Sequence, residues 1–190
     1  MECNNISSTN FGAKYLKTVS VKKLNPNTAR YRKNNISFVE FDPQNEHDLI
    51  TLYRTAKAWK GANFALPIAE AGELIAHKVI SPDKNKIYIL TSQQDNFDKL
   101  HTKYILGLAH MDNSSRNSSE LAHFQVDPKQ KYGSKNRQYK QIGTTMLNEL
   151  KNLCKKSLRL FSSTSAVGFY ERQGFKEIDE SMLEYIWRKK

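Results

Sequence analysis

The chain has 190 residues, 38% of them hydrophobic and 26% charged, which suits one domain with a full core and a tail. No apolar run approaches the ~20 residues that span a bilayer, and the N-terminus carries no apolar leader, so a cytoplasmic protein is expected. The net charge of +11, with a pI near 9.6, favours anionic partners and disfavours a freely diffusing polycationic substrate.

Residues 1–35 are rich in Asn, Ser, Thr and Lys and show no sustained period. They read as a flexible basic arm suited to an anionic partner, with Tyr15-Leu16 and Val19–Val21 as a short element docked on the domain. The folded domain is then 36–190. Ile36–Phe41 reads as a first strand ended by Asp42-Pro43. A helix over 45–59 follows, placing Leu49, Ile50, Leu52, Tyr53 and Ala56 on one face and Asp48, Thr51 and Arg54 toward solvent. Gly61 closes it, and a second helix starts at Ala65-Leu66-Pro67 and runs through Ala71, Leu74, Ile75 and Val79. Strands are expected over 86–91, 103–111 and from Glu120 to Val126, separated by polar loops. Cys3 and Cys154 have no spacing that suggests a metal site or a disulfide.

The most informative stretch lies between Glu120 and Leu153. A strand stops at Asp127-Pro128, and Ile142, Met146 and Leu150 then recur at helical spacing. The loop between them holds Lys129, Lys131, Lys135, Arg137 and Lys140, with no acidic residue after Asp127. A helix N-terminus offers free N–H groups and partial positive charge, Gly143 allows close approach, and Thr144 adds a hydroxyl. Strand, basic loop, glycine and helix make a phosphate cradle. Beyond it, Leu158–Phe161 reads as a strand, 164–173 as a short helix ended by Gly174, and 175–178 with 182–187 as a closing hairpin.

The order Val126-x-Pro128, Gln138-x-x-Gln141-x-Gly143, then an amphipathic helix resembles the acetyl-CoA signature of the GNAT superfamily of N-acyltransferases. Gln141 stands where the family has its first glycine, and the loop from Pro128 to Gln138 is longer than usual. Ser163-Thr164-Ser165-Ala166-Val167-Gly168-Phe169-Tyr170, followed by Gly174-Phe175, is similar to the family's closing element, with Ser163 in place of asparagine. The resemblance implies an α/β fold: a mixed, mostly antiparallel central sheet of roughly six or seven strands, flanked by about four helices.

It also implies acetyl-CoA as co-substrate, no metal, and an amine acceptor that is a small molecule, a protein or an aminoacyl-tRNA. A homodimer is left open. By resemblance, the backbone of Phe124, Gln125 and Val126 pairs with the pantetheine arm as an added strand. The amides from Gln138, Tyr139, Lys140, Gln141, Ile142 and Gly143, with Thr144, cradle the pyrophosphate. Arg137 or Lys140 reaches the 3′-phosphate, and Ser163 and Phe169 border the site. Tyr170 protonates the leaving thiolate.

An amine of pKa ~10.4 resists deprotonation at neutral pH by roughly 4–5 kcal/mol, so a base is needed. By resemblance, the head of the strand that ends at Val126 is where such enzymes hold a Glu or His base, which makes Glu120 the first choice. Alternation turns His123 to the opposite face from Glu120. The resemblance also puts the first two helices over the acceptor side, which makes Trp59, Phe64 and Pro67 on their connecting loop candidate acceptor contacts. The alternative is a non-catalytic CoA-binding or nucleic-acid-binding module on the same fold.

Overall fold

The computed structural model describes residues 12–189, and its first element is an unexpected one. β1 (Lys14–Asn25) and β2 (Arg30–Glu40) form a long antiparallel hairpin where an arm was expected. Val19, Val21, Ile36, Ser37, Phe38 and Val39 are its buried residues. The outer half of the hairpin, Lys22 and Lys23 facing Lys33 and Arg32, extends past the core, held by backbone pairing and by the Tyr31 hydroxyl, which donates to Arg137 O. Its lack of apolar alternation hid it from pattern reading. From Ala13, whose N–H donates to Phe97 O, the chain is part of the domain; residues 1–11 lie outside the described residues.

The remaining elements fall close to their expected positions. They are α1 (Glu46–Ala58), α2 (Ala65–Ala76), β3 (Asn85–Thr91), β4 (Ile105–Asp112) and β5 (Ser118–Val126). Then come β6 (Tyr139–Lys140), α3 (Ile142–Leu153), β7 (Ser157–Phe161), α4 (Val167–Arg172), β8 (Lys176–Asp179) and β9 (Glu184–Arg188). One sheet runs β6-β1-β2-β3-β4-β5-β7-β9-β8. All pairs are antiparallel except β5 with β7. The nine strands exceed the expected number through β1 and the two-residue β6. The fold is the mixed α/β arrangement expected.

α3 lies on one face of the sheet, where Ile142, Met146, Leu147 and Leu150 pack with Tyr88, Leu121 and Leu160. Each such buried side chain contributes roughly 1.5–3 kcal/mol. α1 and α2 cover the other face through Leu52, Ile68 and Ile75 against Ile87, Ile89 and Leu108. Asn45 caps α1 by accepting from the N–H groups of His47 and Asp48.

Asp48 and Thr51, expected to face solvent, are buried. The loop before β4 covers that side of α1: Leu100 is buried there, and its carbonyl accepts from the Thr51 hydroxyl at 3.1 Å. Helical periodicity reports which residues share a face, and it does not report that a loop will cover a second face.

Candidate active site

The site is built where the sheet parts. β5 pairs with β7 only from Ser118 to Leu121, so Ala122 to Val126 have no strand partner on that side among the described residues. An open edge of this kind exposes main-chain donors and acceptors that an extended ligand can pair with. Phe124 stacks on Phe169 of α4, with ring centroids 6.4 Å apart, and so lines this opening.

α3 points its N-terminus at the lower end of the opening. Gln141, immediately before it, has φ 70° and ψ 12°, the left-handed conformation that glycine adopts freely. A side chain there costs about 1 kcal/mol, which explains why a glycine suits the position. No side chain caps α3, and its first turn carries no acidic residue. A Cβ on Gly143 would sit 3.3 Å from Phe169 Cζ and 3.5 Å from Val126 Cγ2, so this glycine keeps the helix end close to β5 and α4.

The loop before α3 is pinned. Buried Gln130 accepts through Oε1 from the N–H groups of Gln138 (3.0 Å) and Tyr139 (2.7 Å). Tyr139 and Lys140 pair with Lys23 and Lys22, and the Tyr139 ring is buried. The amides of Gln138 and Tyr139, expected to cradle phosphate, are therefore already engaged, which leaves that role to the stretch Gln141–Thr144. Arg137 Nε donates to Tyr139 O, and Lys140 Nζ lies 3.8 Å from the Tyr31 ring centroid. The Gln125 side chain also works elsewhere: its Oε1 accepts from Phe64 N at 3.3 Å, tying the start of α2 to β5.

Tyr170 is buried beside Phe169 and Phe175, and burial pushes its phenol up to about 12. Its hydroxyl makes no hydrogen bond to another described residue. Ser163 is exposed at the entry to the turn before α4, with Oγ 3.2 Å from Ser165 Oγ.

One expectation is reversed. Met111 pairs with Leu121 but His110 pairs with His123, so Ala122 is an extra residue, a β-bulge. The bulge resets the alternation and turns His123 to the same face as Glu120, the face under α2. There its ring lies 6.1 Å from Phe64 and 5.7 Å from His110. His110 Nε2 is 3.0 Å from Asn85 Oδ1, and Asn85 donates its amide to Ser81 O, so the Asn85 oxygen must accept from His110. Burial lowers His110 to about 4, so it is neutral and its Nδ1 is bare. His123 Nδ1, 3.4 Å away, is then the donor, and His123 Nε2 is left as the basic nitrogen. Burial also lowers the pKa of His123, partly opposed by Glu70.

Nothing in the sequence marks the bulge, although two histidines on neighbouring strands were visible. Phe64 is half-exposed at this site, whereas Trp59 is a core residue. Among the described residues, no group of His, Cys, Asp and Glu is placed to hold a metal.

A sheet that opens between two parallel strands, beside an unblocked helix N-terminus, suits an extended ligand that carries an anionic group. The chain belongs to the GNAT family: the acetyltransferase (GNAT) domain profile matches residues 64–185. No curated protein matches it. Its fold is similar to that of the PaiA N-acetyltransferase of Thermoplasma acidophilum in complex with coenzyme A, with TM-score 0.53 and 18% identity, covering 81% of this chain and 99% of that one. A GNAT acetyltransferase of Staphylococcus aureus Mu50 gives TM-score 0.52 and 18% identity over 82% and 99%. AtaT, complexed with acetyl-methionyl-tRNAfMet, gives 0.53 and 10% over 80% and 94%.

Proposed function

We propose that this acetyltransferase moves an acetyl group from acetyl-CoA to a primary amine by direct attack in a ternary complex. The observation that carries this reading is the open edge of β5 from Ala122 to Val126, which runs from the face of His123 to the N-terminus of α3. The free edge suits the pantetheine chain, and the amides at the start of α3 suit the pyrophosphate. Thr144 lies in the same first turn. Lys140 is assigned to the 3′-phosphate, and Ser163 and Phe169, the latter stacked on Phe124, to the border of the opening.

On the α2 face, His123 Nε2 takes the proton as the amine attacks, with Asn85 and His110 fixing its tautomer. Glu120, on the same face but without a comparable relay, is the second choice for the base. We assign Tyr170 as the acid: its phenol gives a proton to the leaving sulfur and regains one from solvent as CoA departs.

The test is turnover of labelled acetyl-CoA with a panel of primary amines, read against pH. kcat/KM should rise through an apparent pKa below 6.5, because a lowered histidine is already basic at neutral pH. His123→Gln should lower turnover about 100-fold and remove that limb, with KM for acetyl-CoA little changed. If Glu120→Gln abolishes the limb and His123→Gln does not, the assignment of the base is wrong. Absence of transfer to any amine would favour the non-catalytic module.

A further inference from the structure

We infer that the protein binds a single-stranded nucleic acid through a basic pocket separate from the acetyl-CoA opening. The pocket, of about 1020 Å³, lies at the end of the sheet under the loop that joins β5 to β6. Lys23, Lys103, Lys129, Lys135 and Arg137 line it, together with Tyr104 and several carboxamides. Its one acidic group, Asp127, is buried and spent on the loop itself, accepting from Lys129 N at 3.0 Å and Gln130 Nε2 at 3.3 Å.

None of these cations is paired with an acid among the described residues, where ion pairs join Lys17 to Glu149, Lys86 to Glu40 and Arg159 to Glu184. Two whole stretches, 14–39 and 128–148, contain no Asp or Glu, and they meet at this pocket through the β1–β6 pairing. Of the residues expected to hold CoA, Arg137, Gln138 and Tyr139 line it, whereas Gln141, Gly143, Thr144 and Phe169 do not, so it is a neighbouring pocket and not the opening beside α3.

The cationic roof is held in place. Gln130 pins the loop from inside, and the Tyr31 hydroxyl donates to Arg137 O at 3.0 Å. Five gathered cations repel one another, and a polyanion relieves that repulsion while releasing its own counterions.

Aromatic rings are interleaved with the charges, which favours nucleic acid over a bare phosphate chain. Tyr132 is 96% exposed beside Arg137, and Tyr104 is partly exposed with Lys103 Nζ 4.7 Å from its ring centroid. Exposed aromatics among basic side chains give unpaired bases a face to stack on while the phosphates take the charges.

The test is fluorescence anisotropy with a labelled oligouridylate of about 20 nucleotides, several salt concentrations, and CoA present or absent. With about five phosphates neutralised, log K should fall against log salt with a slope of about −3.5. Lys103→Glu with Lys135→Glu should weaken binding more than about tenfold and flatten that slope, while Lys57→Glu with Lys176→Glu, an equal charge change elsewhere, should not. Tyr132→Ala should weaken binding about tenfold with the slope kept.

Thermal melting of each variant checks that it folds. Equal losses in the two charge-reversed pairs, no binding at low salt, or full displacement by CoA would each overturn the proposal. Inorganic triphosphate competing as well as the oligonucleotide would also overturn it. None of these readouts depends on acyl transfer.

Discussion

Tyr170→Phe is expected to lower turnover about 100- to 1000-fold while leaving the fold and the affinity for acetyl-CoA unchanged. The substitution removes one oxygen. That hydroxyl bonds to no other described residue, so its loss strands no partner, and the ring keeps its contacts with Phe169 and Phe175. Burial holds the phenol at about 12, so it is protonated throughout the working pH range and available as an acid. A thiolate leaving without a proton donor must be expelled as an anion beside aromatic rings, which is unfavourable. The measurement is kcat and KM by CoA release, with melting temperature as the control. An unaltered kcat would remove Tyr170 from the chemistry, and a parallel fall in melting temperature would make it a core residue only.

The second large effect concerns stability. Asp48 is buried in α1 near Asp42 and Asp98, and its Oδ1 has no hydrogen-bond partner. Burial, reinforced by those two carboxylates, raises its pKa from 3.8 to about 7. The unfolded chain therefore releases this proton near pH 4, while the folded chain keeps it until about pH 7. Folding is favoured below the lower value, and that advantage is lost as pH rises through the window.

At ~1.4 kcal/mol per pH unit, the loss amounts to as much as about 4 kcal/mol. Asp48→Asn should therefore be more stable than the parent at pH 8, and the difference should shrink toward pH 4. Urea denaturation at both pH values checks this, and a difference independent of pH would show that Asp48 is not protonated in the fold.

Local signals were legible in the sequence wherever one element settled its own fate. Ile142, Met146 and Leu150 announced α3, Gly174 the end of α4, and Asp127-Pro128 the end of β5. What stayed hidden depended on neighbours distant in the chain. β1 has few apolar residues because β2 and β6 hold its outer half by backbone pairing. Asp48 and Thr51 are buried by a loop some 50 residues away. The bulge at Ala122 arises from how β5 matches β4, and a one-residue shift moves His123 to the opposite face of the sheet. The phosphate loop was recognisable by its charges and Gly143, but Gln130's claim on the Gln138 and Tyr139 amides was not. Gln141 shows why its position suits glycine only once its φ is known.

The central claim is that acetyl-CoA lies along the free edge of β5 with its pyrophosphate at the start of α3. Calorimetric titration of acetyl-CoA into the parent and into Gly143→Val tests it most directly. The valine methyls would meet Phe169 and Val126 where the ligand must pass. One molecule should bind per parent chain, and the variant should bind about 100-fold more weakly, a loss of ~2.7 kcal/mol that exceeds its loss of folding stability in urea. Equal affinity in the two proteins, or no binding by the parent, would contradict the account.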